Sequence, residues 1–111
     1  MPHLIVEYSS NLDQAIDMRT IIDAVHAAAL ETGVFPLGGI RTRAERRDVY
    51  KIADGQPGYG FIHVQARIGS GRPADVRHKA GEHIFAGLRA AAGQIIPAVY
   101  RCFMKAVRSW N

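Results

Sequence analysis

Apolar residues recur along this chain with two different periods, and the switches between them outline its elements. Residues 3–8, HLIVEY, form a short apolar, β-branched run that predicts a buried strand. Pro2 stands at its very start, where a strand needs no ladder donor. Residues 9–15 are polar and turn-like. Behind them Met18, Ile21, Ile22, Val25, Ala28 and Ala29 repeat at spacings of three and four, which is one face of a helix. Asp17 supplies the N-cap, Gly33 the C′ residue, and Pro36 a stop beyond it.

Gly38 and Gly39 open an extended stretch in which Ile40, Thr42 and Ala44 alternate with Arg41 and Arg43. Residues 48–52 are expected to continue it or pair with it. Residues 53–58, ADGQPG, are a turn by composition. Residues 59–68 then alternate, with Ile62, Val64, Ala66 and Ile68 on one face and Phe61, His63, Gln65 and Arg67 on the other. Gly69, Ser70, Gly71 and Arg72 form a tight loop, and Pro73 suits the first position of a helix. Val76, Ala80, Ile84, Leu88 and Ala91 mark the buried stripe of that helix. Pro97 breaks or kinks it. Val99, Cys102, Phe103, Ala106, Val107 and Trp110 again follow a helical period, so the tail is expected to be helical.

The order is strand, helix, extended pair, strand, helix, helical tail. A strand, a loop and an amphipathic helix occur twice, without much residue identity between the halves. This predicts an α+β fold with two helices packed on one face of a small mixed sheet. At 111 residues the chain fits one domain, 1–111, with a modest core for which self-association would be unsurprising.

Composition narrows the function classes. The chain is 48% hydrophobic and 22% charged, ordinary for a soluble protein. No apolar run approaches a membrane span, and the first residues do not read as a secretory signal. A cytoplasmic protein is therefore expected. Cys102 is the single cysteine, so no internal disulfide and no cysteine metal cluster can form. The net charge of +4 fits a solvated basic surface, a site for an anionic small molecule, or contact with nucleic-acid phosphates.

Three residues could carry chemistry. A proline inside a chain is an amide without basicity, but at a free N-terminus it is a secondary amine. Removal of Met1, common before a small residue such as proline, would make Pro2 such a base. Apolar surroundings and nearby cations would bring it toward neutrality. Arg41, beside two glycines, and Arg72, in a glycine-flanked loop, are placed where close approach is possible. Two guanidinium groups would hold a dicarboxylate and stabilise charge on a dienolate. Arg43, Arg46 and Arg47 read as surface charges. The GSGR loop could offer backbone N–H groups to an anion, but lacks the lysine and spacing of a P-loop. His3, His26, His63, His78 and His83 show no recognisable metal spacing.

Four segments together, MPHLIVEYS, TGVFPLGGIRTR, ADGQPGYGFIHV and IGSGR, resemble the 5-carboxymethyl-2-hydroxymuconate isomerase family of the tautomerase superfamily. The likeness runs from Met1 to about Gly87. It implies two β-α-β units per chain, a homo-trimer, and no metal or organic cofactor. It implies Pro2 as catalytic base and acid, with Arg41 and Arg72 binding substrate. The reaction it implies is a 1,3 keto–enol proton transfer on a carboxylated dienol in bacterial homoprotocatechuate catabolism. Phe35 and Phe61 are side chains available to keep such a pocket dry. The family continues with a further strand where this sequence reads as helix, so the tail is where a departure is expected. Two other readings stand beside this one. The first is another amino-terminal-proline enzyme, such as a phenylpyruvate tautomerase, a dehalogenase that hydrates an alkene, or a decarboxylase. The second is a binding module whose Arg41, Arg43, Arg46 and Arg47 meet nucleic acid, although aromatic interleaving is absent there.

Overall fold

The structure, a computed structural model, describes residues 2–95 and 103–110, with side chains as far as residue 93. β1 (His3–Ser9) is followed by a short 3-10 turn (Ser10–Gln14), α1 (Met18–Glu31), a second 3-10 turn (Leu37–Gly39) and β2 (Arg41–Arg47). β3 (Ile62–Gly69), α2 (Ala74–Ile95) and β4 (Phe103–Trp110) complete the described elements. The sheet order is β2-β1-β3-β4. β1 pairs in parallel with β2, β3 pairs in parallel with β4, and the central β1–β3 pair is antiparallel. The chain is thus two β-α-β units joined back to back through their first strands.

Local chemistry explains the boundaries. The Asp17 carboxylate accepts the Arg19 N–H at 3.0 Å and caps α1. Thr32 closes that helix, and Gly33 follows with φ +68°, the left-handed conformation that ends a helix cheaply only in glycine. Leu4, Val6 and Tyr8 of β1 and Ile62, Val64, Ala66 and Ile68 of β3 bury one sheet face against Ile21, Val25, Ala28 and Ala29 of α1 and Ala80, Ile84 and Leu88 of α2. The opposite face carries His3, Glu7, His63, Gln65 and Arg67, all half-buried.

Two expectations need correction. The tail is not helical where it is described: β4 is a strand laid parallel to β3, with Ile62 opposite Phe103 and Gly69 opposite Trp110. Its apolar residues keep the helical spacing and do not alternate, and pairing with the free edge of β3 overrides that local signal. Pro97, Val99 and Cys102 lie outside the described residues. Residues 48–52 form no strand; the chain bends away after Arg47. The alternation of 62, 64, 66 and 68 holds, although β3 starts at Ile62 rather than at residue 59.

The two helices touch where α2 carries Gly87. A Cβ there would lie 2.9 Å from the Ala28 Cβ and 3.5 Å from the Ala24 carbonyl oxygen, neither of which can swing aside. Gly87→Val is therefore expected to cost about 1–3 kcal/mol by overpacking. That corresponds to a drop of order 10 °C in Tm, read by circular dichroism. An unchanged Tm would show that α1 and α2 do not cross at this glycine.

Candidate active site

Strand direction decides what gathers at the start of β1. β1 and β2 are parallel and begin at the same end of the sheet, while antiparallel β3 finishes there. The Pro2 carbonyl accepts the Arg41 backbone N–H at 3.0 Å, fastening the residue before β1 to the first residue of β2. Across the other edge of β1, His3 pairs with Arg67, and β3 then runs on past Gly69 into the loop that carries Arg72. Gly71 in that loop has φ +110°, which turns the chain back toward α2. Pro2, Arg41 and Arg72 therefore reach one end of the sheet from three separate segments. Pro2 is fully buried, in phase with Leu4 and Val6 on the helix-covered side.

The two arginines are held by backbone. Arg41 is exposed, and its Nη1 donates to the Gly38 carbonyl at 2.7 Å and, more loosely, to the Ile40 carbonyl at 3.4 Å. The 3-10 turn before β2 thus sets the direction of this side chain. Arg72 is half-buried, with Nη1 3.4 Å from the Gly69 carbonyl and Cζ 5.2 Å from the centroid of the Phe35 ring. Among the described residues neither pairs with a carboxylate. The other arginines near the sheet are tied to side chains. Arg46 meets Asp13 at 3.0 Å and Asp48 at 3.4 Å, and Arg47 meets Glu7 at 2.6 Å and Glu45 at 2.7 Å. Arg43 donates to His3 Nδ1 at 3.1 Å, and Arg67 to Gln65 Oε1 at 3.2 Å. This pattern leaves the end of the sheet at Pro2 positive. It also ties up three of the four arginines that a nucleic-acid surface would have needed.

The histidines have structural partners. His26 bonds Thr42 at 2.8 Å, His78 meets Glu82 at 2.8 Å, and His83 meets Glu31 at 2.7 Å. His63 lies 3.7 Å from Glu7 on the open sheet face. At the far end of β1, Tyr8 donates to Asp13 at 2.9 Å, and burial, then that bond and the Asp13 charge, push its phenol above the usual value. Phe61 belongs to that far end too: its N–H donates to Ser9 Oγ at 2.9 Å and its ring meets Tyr50 edge-on at 6.1 Å. Within this chain it cannot line a pocket at Pro2, whereas Phe35 can. A cavity of about 310 Å³, lined by Tyr50, Lys51, Gln56 and Tyr59 among others, also lies at that distant end. The Phe35 ring beneath Arg72 and the Gly38 carbonyl beside Arg41 carry no periodic signal and were not legible in the sequence.

Comparison with known proteins rests on nearly the whole chain. The model of the family described as 5-carboxymethyl-2-hydroxymuconate isomerase matches residues 2–103. The chain belongs to this family. The 5-carboxymethyl-2-hydroxymuconate Delta-isomerase of Escherichia coli is 41% identical over 85 residues, 77% of this chain and 68% of that protein. A crystal structure of a 5-carboxymethyl-2-hydroxymuconate delta-isomerase superposes with TM-score 0.92 at 33% identity, covering 99% of this chain and 83% of that one. The Deinococcus radiodurans R1 5-carboxymethyl-2-hydroxymuconate isomerase gives 0.88 at 28% identity, with the same coverage of 99% and 83%. The protein is an isomerase with a tautomerase-superfamily fold. The family match reaches past Gly87 to residue 103, the first residue of β4, so the isomerase likeness extends into the region where the sequence suggested a departure.

Proposed function

We propose that this isomerase catalyses the 1,3 keto–enol transfer of a proton on a carboxylated dienol of the 5-carboxymethyl-2-hydroxymuconate type, with Pro2 as base and acid. The reading is carried by one observation. Arg41 and Arg72 bond only to carbonyl groups among the described residues, at the sheet end where Pro2 is held against Arg41. Loss of Met1 leaves Pro2 a secondary amine in a buried position, at the sheet end that the Arg41 and Arg72 segments reach. Both conditions disfavour its protonated form. The neutral amine takes the proton of the substrate hydroxyl, and the O–H electron pair becomes a carbonyl. Arg41 and Arg72 hold the substrate carboxylates and the oxygen that bears charge in the dienolate. The carbon–carbon double bond shifts, and the new ammonium returns its proton to the distal carbon. Proton count and charge are unchanged overall, and no cofactor takes part.

The same reading makes the protein a cytoplasmic homo-trimer in homoprotocatechuate catabolism. Ketonisation of a carboxylated dienol, followed by ultraviolet absorbance, tests the activity. Turnover well above the spontaneous rate is expected. A rate equal to that of buffer would reject the proposal, and a panel with phenylpyruvate and a halogenated acrylate would reveal the other amino-terminal-proline chemistries.

A further inference from the structure

We propose that Phe35 is a positioning residue for Arg72: its buried ring fixes the guanidinium so that the donors at its rim stay available to a substrate carboxylate. Phe35 lies between α1 and β2, in the first β-α-β unit, and its ring belongs to the main core. Arg72 follows β3, in the second unit. The 5.2 Å separation of Cζ from the ring centroid is a cation–π contact across the joint between the two halves.

The chemistry of the pair gives it a function. An arginine in a glycine loop has many rotamers, and ordering it on substrate binding would weaken affinity. Gly71 at φ +110° and the long 3.4 Å bond to the Gly69 carbonyl give little fixation by themselves. A carboxylate partner would fix the side chain, but it would also occupy the donors and cancel the charge. An aromatic face attracts the cation through its quadrupole and takes no N–H. The guanidinium is thereby held without being used up, and its planar fork can still engage a carboxylate in two bonds. Phe35 is itself packed in the core, only 8% exposed.

The inference rests on the substrate-binding reading of Arg72, so its test has an arm that does not depend on turnover. Phe35→Leu, Phe35→Tyr, Arg72→Ala and the double variant Phe35→Leu/Arg72→Ala are compared in KM and kcat for dienol ketonisation. Their Kd for glutarate, a saturated dicarboxylate probe, is measured by calorimetry, and Tm is recorded for each. Phe35→Leu is expected to raise KM and the glutarate Kd about tenfold, with kcat changed less than about threefold. Phe35→Tyr, which keeps the aromatic face, restores values near those of the parent. In the Arg72→Ala background Phe35→Leu adds no further effect, because the group it positions is gone.

Equal effects of Phe35→Leu with and without Arg72, or failure of Phe35→Tyr to rescue while its Tm is kept, would overturn the inference. An enzyme that binds glutarate with this coupling but does not ketonise the dienol would sink the proposed reaction and leave the positioning role standing. A protein that neither turns over nor binds the dicarboxylate would sink both.

Discussion

A preparation that keeps Met1 is expected to ketonise the dienol no faster than buffer, whereas Pro2→Ala with Met1 removed should lose about 10²–10⁴ in kcat. The two losses differ because the two nitrogens differ. With Met1 attached, Pro2 nitrogen is an amide with its lone pair delocalised into the carbonyl, and no local geometry makes it a base. Alanine leaves a primary amine, still a base, but without the ring that fills a fully buried position next to Leu4. Its nitrogen is freer to turn and easier to solvate. The protonation state has a direction as well. The reacting form is neutral, so kcat/KM of the parent should rise with pH and fall away on the acid side as the amine takes a proton. Where that limb falls relative to the ordinary α-amino range reports how far burial and the site arginines disfavour the protonated amine. Intact-mass measurement assigns the state of Met1 in each sample. Full activity in the Met1-retaining form would remove Pro2 from the mechanism altogether.

Loss of either site arginine is the second large effect. Arg41→Ala and Arg72→Ala are each expected to lower kcat/KM by about 10²–10³, the usual consequence of deleting one donor from a preorganised charge-stabilising site. The split between constants separates the roles. An arginine that holds a carboxylate throughout the reaction contributes equally to ground and transition states, and its loss appears in KM. One that faces the oxygen gaining charge contributes more in the transition state, and its loss appears in kcat. Lysine at either position keeps the charge but not the planar fork, so partial rescue is expected where charge dominates and little where two parallel bonds are needed. Arg43→Ala serves as the contrast. Its guanidinium already donates to His3 on the open sheet face, and its removal should leave kcat/KM within about twofold. Equal losses at Arg41, Arg43 and Arg72 would mean that general surface charge, and not a built pair, governs the rate.

Much of the fold was readable without coordinates because its signals are local. The N-cap at Asp17, the left-handed Gly33 and the alternation of Ile62, Val64, Ala66 and Ile68 each depend on neighbours a few residues away. The family likeness rested on four short motifs, and those motifs also named Pro2, Arg41 and Arg72.

Three features were decided only by contacts between distant segments. Phe103, Ala106, Val107 and Trp110 keep a helical spacing, and the unpaired edge of β3 overrode it by supplying a hydrogen-bonding partner. The arginines of residues 41–47 look alike in sequence, but each is tied up or left available according to what stands beside it: His3 and Glu7 across the strand pair, Asp13 from the 3-10 turn. Phe35 and Arg72 are far apart along the chain and meet because two β-α-β units close around one core. Sequence determined the residue types and local shapes of this isomerase. Tertiary structure determined which charges stay uncompensated, because compensation depends on distance in space, and folding sets that distance.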